Sequence, residues 1–209
     1  MDETAGIVNE KKSKNLAFIQ NTVNVGFTKA VNQGIDHASG EHIFILNPDT
    51  QFKPASVDPL IRKLSTDSEI GLVAPQLHFP DGSIQHSCRR FPTFWNIFTE
   101  MTGLSRIFHR SKLFNGWKMG YFNHETERDA DQPAGAALMV KKDLLDRLGG
   151  LDERFPMFFS DVDLCKRIKD MGKRIVFCSD AVVTHRGGST TLGRRPGLIA
   201  SSHLSLIKY

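Results

Sequence analysis

No apolar stretch in the 209 residues approaches the ~18 needed to span a membrane, so any membrane association is expected to be peripheral. The amino terminus, Met1-Asp2-Glu3-Thr4, lacks the basic-then-apolar order of a signal peptide. Cysteine is scarce as well. Cys88, Cys165 and Cys178 show no Cys-x-x-Cys spacing and fall inside expected elements, which argues against a disulfide framework and for reduced core thiols of a cytoplasmic protein. Neither the Walker nor the dinucleotide glycine fingerprint occurs, and no nucleic-acid recognition spacing accompanies the basic residues, so nucleic acid is not an expected partner. There is no internal repeat and no low-complexity tract.

What is present has the composition of an ordinary globular protein, 40% hydrophobic and 24% charged, which excludes the disordered and collagen-like classes. The length suits one well-buried domain, or one domain with a sizeable insertion. The net charge of +4 is mild but uneven, because Arg89, Arg90, Arg106, Arg110, Lys112 and Lys118 crowd one stretch among aromatics. That stretch is either a solvated face or a surface for acidic lipid head groups or a phosphorylated substrate.

Periodicity predicts a strand over Asn15 to Ile19, a loop from Asn21 to Gly26 and a helix near Thr28 to Ala38. A strand over Ile43 to Leu46, a helix near Ser56 to Ser65 and an apolar stretch from Ile70 to Ala74 follow. This β-α-β-α-β order favours a parallel sheet. Pro80-Asp81-Gly82-Ser83 signals a hairpin or an irregular excursion, and from Pro92 to about Asp131 only a broken amphipathic helix, Phe94 to Phe108, is discernible. Order returns with a strand over Ala136 to Val140 and a helix from Lys142 to Leu148 stopped by Gly149-Gly150. Ser160 reads as the N-cap, with Asp163 as a capping-box acid, of a helix running to Met171. Two short strands, Arg174 to Cys178 and Ala181 to Thr184, then bring His185 to a loop.

Asn47-Pro48-Asp49-Thr50 closes the apolar run Ile43 to Leu46, and this sets a carboxylate where a strand surfaces, the end at which open α/β sheets bind ligands. Asp49 is either a turn former or, with His185, part of a metal-diphosphate site; a hard divalent cation on a diphosphate needs only one or two protein ligands. Histidine points slightly toward Mn²⁺, with Mg²⁺ open. Asp161 and Asp163, two apart in a first helical turn, point in different directions. Both could merely complement the helix dipole, or one could be a general base toward an acceptor hydroxyl. Asn24-Val25-Gly26-Phe27 before a helix, and Gly135-Ala136-Ala137 before a strand, are weak signals that could be packing or close approach to a ligand.

Taken together, Asn24 to Gly34, Gly40-Glu41 and Leu46-Asn47-Pro48-Asp49-Thr50 resemble the family-two inverting glycosyltransferases of GT-A fold. The resemblance continues through Pro80 to Gln85, Arg89-Arg90-Phe91-Pro92-Thr93, Gly135 to Val140, Gly149 to Phe155, Phe158 to Cys165 and His185-Arg186-Gly187-Gly188-Ser189-Thr190. The subgroup looks like bacterial rhamnosyltransferases of polysaccharide assembly. The resemblance implies an α/β, GT-A-like, mostly parallel sheet flanked by helices. It implies Asp49 as the cation ligand completed by His185, and Asp161 as the catalytic base, although many relatives carry an acid where Ser160 stands. Asn24, Gly26, Asn32, Asn47, Asp49, Gly135 and Ala136 become candidate substrate-binding residues, and Asp163 a brace for the helix.

On the same resemblance, Asp2-Glu3-Thr4 matches the tail of an Asp-Gly-Thr that closes an earlier strand-helix-strand unit. The chain is thus expected to lack that first β-α-β element and half of the nucleotide pocket, as a fragment or an alternative start. We expect one domain over 1–209: a partial nucleotide-sugar half over 1–75, an irregular excursion over 76–132, and an acceptor and catalytic half over 133–209. The implied activity is inverting, Mg²⁺- or Mn²⁺-assisted transfer of a sugar, rhamnose from a dTDP donor being the best guess. The acceptor would be lipid-linked or polysaccharide, at the inner face of the cell membrane. The alternative is a non-catalytic remnant. A metal-dependent phosphohydrolase would need more clustered ligands than Asp49 and His185 supply.

Overall fold

The computed structural model describes residues 3–11, 13–187, 205, 206 and 209. Met1 and Asp2, and Gly188-Ser189-Thr190 of the last motif, lie outside them. In chain order the strands are β1 (His42–Leu46), β2 (Thr50–Phe52), β3 (Ile70–His78), β4 (Ile84–Gln85), β5 (Cys88–Arg89), β6 (Arg128–Asp129), β7 (Gln132–Pro133), β8 (Ala137–Lys141) and β9 (Arg174–His185). The helices are α1 (Thr4–Glu10), α2 (Phe27–His37), α3 (Asp58–Thr66), α4 (Phe94–Met101), α5 (Leu104–Ile107), α6 (Lys142–Leu148) and α7 (Ser160–Asp170).

The main sheet runs β1-β8-β3-β9-β2, with β4 on β3 and β6 on β9. The α/β class holds, and the pairing is mixed. β3 and β9 are parallel, whereas β8 is antiparallel to both β1 and β3 and β2 is antiparallel to β9. It follows that β1, β3 and β9 share one direction. The crossover through α3 leaves a slot beside β1, and the later β8 fills it in the opposite sense.

Period-two alternation splits the core across this sheet. Leu72, Leu138, Val140, Ile175 and Phe177 face one side and bury against Ile35 of α2, Leu144 and Leu145 of α6, and Leu164 and Ile168 of α7. Val73, Met139, Val176 and Cys178 face the other side, against Leu60 and Leu64 of α3. The three cysteines are buried free thiols. Burial pushes the Cys88 thiol up to about 12, which leaves it unreactive.

Four expectations need correcting. Asn15 to Ile19 forms no strand: it pairs with none of the described strands, and Leu16, Phe18 and Ile19 stay exposed, because apolar content alone supplies no ladder partner. Ser160 is not an N-cap but the buried first residue of α7; Phe159, with φ of 70°, holds the cap position and no side chain caps the helix. Asp163 is instead held by Arg167 at 2.7 Å, and that guanidinium also donates to the Leu148 and Gly150 carbonyls, which makes it the expected brace. The two terminal strands are one, β9, with a break in register between Pro75 and Gln76 of the partner strand. His185 ends that strand, paired with Thr50, rather than lying in a loop.

The excursion has its own order. The Thr93 side chain accepts from Asn96 N to start α4, and left-handed Gly103 separates α4 from α5, which explains the broken pattern. Within it Trp95 stacks on Phe98 at 5.5 Å and its Nε1 donates to Leu113 O. No helix among the described residues is long and apolar enough to cross a membrane.

Candidate active site

Asn47-Pro48-Asp49 forms a tight turn between β1 and β2, closed by Thr50 N and Oγ1 donating to the Asn47 carbonyl at 3.2 and 2.7 Å. The turn faces Asp49 toward the end of β9, where Asp49 Oδ1 lies 3.4 Å from His185 Nε2. On its other side the His185 ring presents Nδ1 to Gln85 Oε1 at 2.9 Å. With Nδ1 as the donor to that amide oxygen, Nε2 would offer its lone pair to a cation on the Asp49 side. Such a second partner on a ligand histidine is the usual device for fixing its tautomer.

A carboxylate oxygen and an imidazole nitrogen at this separation fit a divalent cation, since neighbouring ligands of one octahedral ion at about 2.1 Å lie about 3 Å apart. Among the described residues no cluster of three or more His, Cys, Asp or Glu could hold a metal. The pair therefore suits an ion whose remaining ligands arrive with a diphosphate and water.

Asp161 opens α7. Its Oδ2 accepts from Gly135 N at 2.9 Å and its Oδ1 from Val162 N at 2.9 Å. Burial raises its pKa above the ordinary carboxylate value, against the pull of these two amides and of Arg89. Glycine gives this approach room: a Cβ at 135 would meet Asp161 Cβ at 3.0 Å and Oδ2 at 3.2 Å, so the carboxylate would have to shift. The next residue completes a link, because Asn47 N donates to Ala136 O at 2.9 Å. The Gly135-Ala136 peptide thus joins the Asp49 turn to the Asp161 carboxylate.

Asp161 also lines a cavity of about 630 Å³ with His86, Ser87, Arg89, Trp117 and Phe158 among its walls. The expected residues Asn47, Asp49, Gly135, Ala136, Asp161 and His185 thereby form one connected site. Asn24, Gly26 and Asn32 are engaged elsewhere. Asn24 Oδ1 accepts from Gly26 N, and Gly26, with φ of 85°, packs on the Pro156 carbonyl, so the close approach it permits is to protein. Asn32 pairs both amide ends with the Leu151 backbone, Oδ1 to N at 2.8 Å and Nδ2 to O at 2.9 Å. Gly26 and Asn32 fasten α2 to the loop before α7, and Asn24 braces Gly26.

Gln85, Ser87, Arg89 and Trp117 were not singled out from the sequence as site residues. Gln85 and Arg89 lay inside recognisable motifs, but only the fold shows that one orients His185 and the other faces Asp161.

The site thus combines, on an α/β sheet, an acidic turn at a strand end, a facing histidine and a separate, half-buried carboxylate. The glycosyl transferase family 2 model matches residues 1–126, more than half of the chain, and the chain belongs to that family. It is 28% identical over 203 residues to an N-acetylglucosaminyl-diphospho-decaprenol L-rhamnosyltransferase of Mycobacterium tuberculosis, covering 90% of this chain and 64% of that protein. It is 31% identical over 157 residues to the O-antigen biosynthesis protein RfbC of Myxococcus xanthus, covering 74% of this chain and 12% of that protein. The chain therefore spans less than two thirds of either relative's length.

Two solved GT-A structures share the fold. A mannosyltransferase from Pyrobaculum calidifontis in complex with GDP-Man and Mn²⁺ aligns at TM-score 0.59 and 19% identity, over 100% of this chain and 52% of that one. GalNAc-T7 with UDP, GalNAc and Mn²⁺ aligns at TM-score 0.58 and 16% identity, over 80% and 31%.

Proposed function

We propose that the chain carries out inverting transfer of a sugar from a nucleotide-diphospho-sugar to a hydroxyl of a lipid-linked acceptor. The observation that carries this is Asp161: a half-buried carboxylate with raised pKa, facing a cavity and held by the N–H of Gly135, whose neighbour Ala136 bonds the Asp49 turn. Asp49 and His185 would hold Mg²⁺ or Mn²⁺, which when bound neutralises charge on the leaving diphosphate. Asp161 accepts the proton of the acceptor hydroxyl as its oxygen bonds to the anomeric carbon. The bond from that carbon to the diphosphate oxygen breaks, and nucleoside diphosphate departs. With the base on one side and the diphosphate on the other, a single displacement inverts the centre.

Rhamnose is the preferred sugar, and a sugar linked through diphosphate to a prenyl chain the preferred acceptor, on the name of the mycobacterial relative; a dTDP carrier is preferred on the resemblance to rhamnosyltransferases. We place the protein at the cytoplasmic face of the membrane. Phe94, Met101 and Ile107 are 94%, 84% and 70% exposed beside the exposed Arg106, Arg110 and Lys112, a mixture that suits a head-group boundary.

The test is a panel of dTDP-, UDP- and GDP-sugars with an N-acetylglucosaminyl diphospholipid, read as nucleoside diphosphate release with and without Mn²⁺. Release from dTDP-rhamnose that Asp161→Asn abolishes, with donor affinity kept, is the expected result. Absence of donor binding by the chain would favour the non-catalytic remnant.

A further inference from the structure

Among the described residues, three other than glycine have positive φ: Met119 at 50°, His124 at 62° and Phe159 at 70°. An L side chain is crowded in this left-handed region and persists there only where its surroundings over-determine it, most often at functional sites. Met119 and His124 are 2% and 0% exposed, so the core around them fixes their backbones. Phe159 is only half-buried, with its ring tilted against that of Tyr209 at 5.8 Å. Packing does not account for it, and neither does capping. Phe159 holds the cap position of α7, where no side chain bonds the helix amides; glycine or asparagine would suit both the left-handed turn and the cap.

What distinguishes the position is its neighbour. Phe159 lies two residues before Asp161, and both line the same cavity. The Phe159 carbonyl takes the first bond of α7, from Asp163 N at 2.9 Å, so the left-handed turn sets the direction in which the helix starts. That direction carries the Asp161 carboxylate to Gly135 N. An aromatic ring beside a carboxylate also displaces water and raises the carboxyl pKa, the direction found for Asp161. We propose that Phe159 is the positioning residue of the base: its left-handed backbone aims the Asp161 carboxylate at Gly135, and its ring shields that carboxylate from water. The inference rests on the reading of Asp161 as the base.

The charged and titratable groups around the carboxylate are Arg89 and His86, Glu100 of α4 paired with Lys118, and the buried Cys165 one turn along α7. A change at position 159 alters none of them, so a shift in the Asp161 titration reads water access. The carboxyl is followed by carbon-13 NMR of the full chain without ligand, with Asp161→Asn to assign its signal. Turnover is read with dTDP-rhamnose and the N-acetylglucosaminyl diphospholipid. Phe159→Asn suits the left-handed cap and lacks the ring. It is expected to raise the urea midpoint, to move the Asp161 titration down toward the ordinary 3.8, and to lower kcat roughly tenfold, a part of what a placed base contributes. Phe159→Leu, equally crowded but apolar, should keep the titration and stay within about threefold of the parent's kcat.

The proposal is overturned if the Asp161 titration in Phe159→Asn stays where it is in the parent, or if stability and turnover fall together, which makes the ring a structural prop. Failure of that variant to fold counts the same way. A lowered titration with kcat unchanged upholds the shielding and removes Asp161 as the base, so the two failures give different results.

Discussion

Asp161 shows how one side chain is tuned by two opposing effects. Burial raises its pKa, and the amides of Gly135 and Val162 with the charge of Arg89 lower it, yet burial prevails. A base of this kind works only when ionised, so activity must fall as pH drops through a value above the ordinary 3.8. The acid limb of kcat/KM for the parent protein is expected there, and a limb at or below 3.8 would remove Asp161 from the role. Gly135→Ala tests the geometry separately. Its Cβ at 3.0 Å from Asp161 Cβ pushes the carboxylate aside, and a displacement of this order should lower kcat by about 100-fold while far-ultraviolet circular dichroism stays native.

At the scale of elements, the turn around His124 ties the excursion to the sheet. His124 is fully buried with φ of 62°, its Nδ1 donating to Phe122 O and its Nε2 accepting from Cys88 N of β5, each at 3.0 Å. Gln76 of β3 donates to the His124 carbonyl at 2.5 Å, and the ring of His86, in the cavity wall, packs tilted against that of His124 at 4.6 Å. Burial first, and His86 second, lower its pKa from 6.5 to about 4. In that interval the unfolded chain takes up a proton and the folded chain does not. Stability is therefore intact above 6.5 and falls as pH drops toward 4, by roughly 3 kcal/mol at about 1.36 kcal/mol per pH unit. Urea titrations at pH 7 and pH 4.5 should show the loss, and His124→Gln should start less stable but lose less between those two pH values.

The same scale shows what the sequence could reveal. Helices α2, α3 and α6 were legible because their apolar residues recur at helical spacing and Gly149 stops α6 in a left-handed conformation. The direction of β8 was not, since its insertion between β1 and β3 depends on pairing partners far apart in the chain. In the site, Asp49, Asp161 and His185 were legible through their motifs, whereas Gln85 and Trp117 act only through neighbours that the fold brings to them. Ser160 misled because a serine before two acids reads as a cap, while packing places it inside the helix.

For the whole molecule, exposed charge and exposed apolar side chains coincide in one segment, 94–112. Phe94, Met101 and Ile107 stand out beside Arg106, Arg110 and Lys112, so the excursion that walls the cavity is also the surface we orient toward lipid. Co-sedimentation with anionic vesicles should exceed that with neutral ones, fall as salt is raised, and fall again in a Phe94→Ser, Met101→Ser double variant. Equal partition into both vesicle types, or into neither, would detach this face from the membrane. A last consequence follows from the Gly135-Ala136 peptide, which reaches Asn47 with one residue and Asp161 with the other. Residues 90–127 are inserted between β5 and β6, outside that link. Nature or an engineer could therefore graft a foreign segment in place of α4 and α5, leaving the buried anchor of Met119, Phe122 and His124, and the recombinant would inherit its reactive groups already spaced.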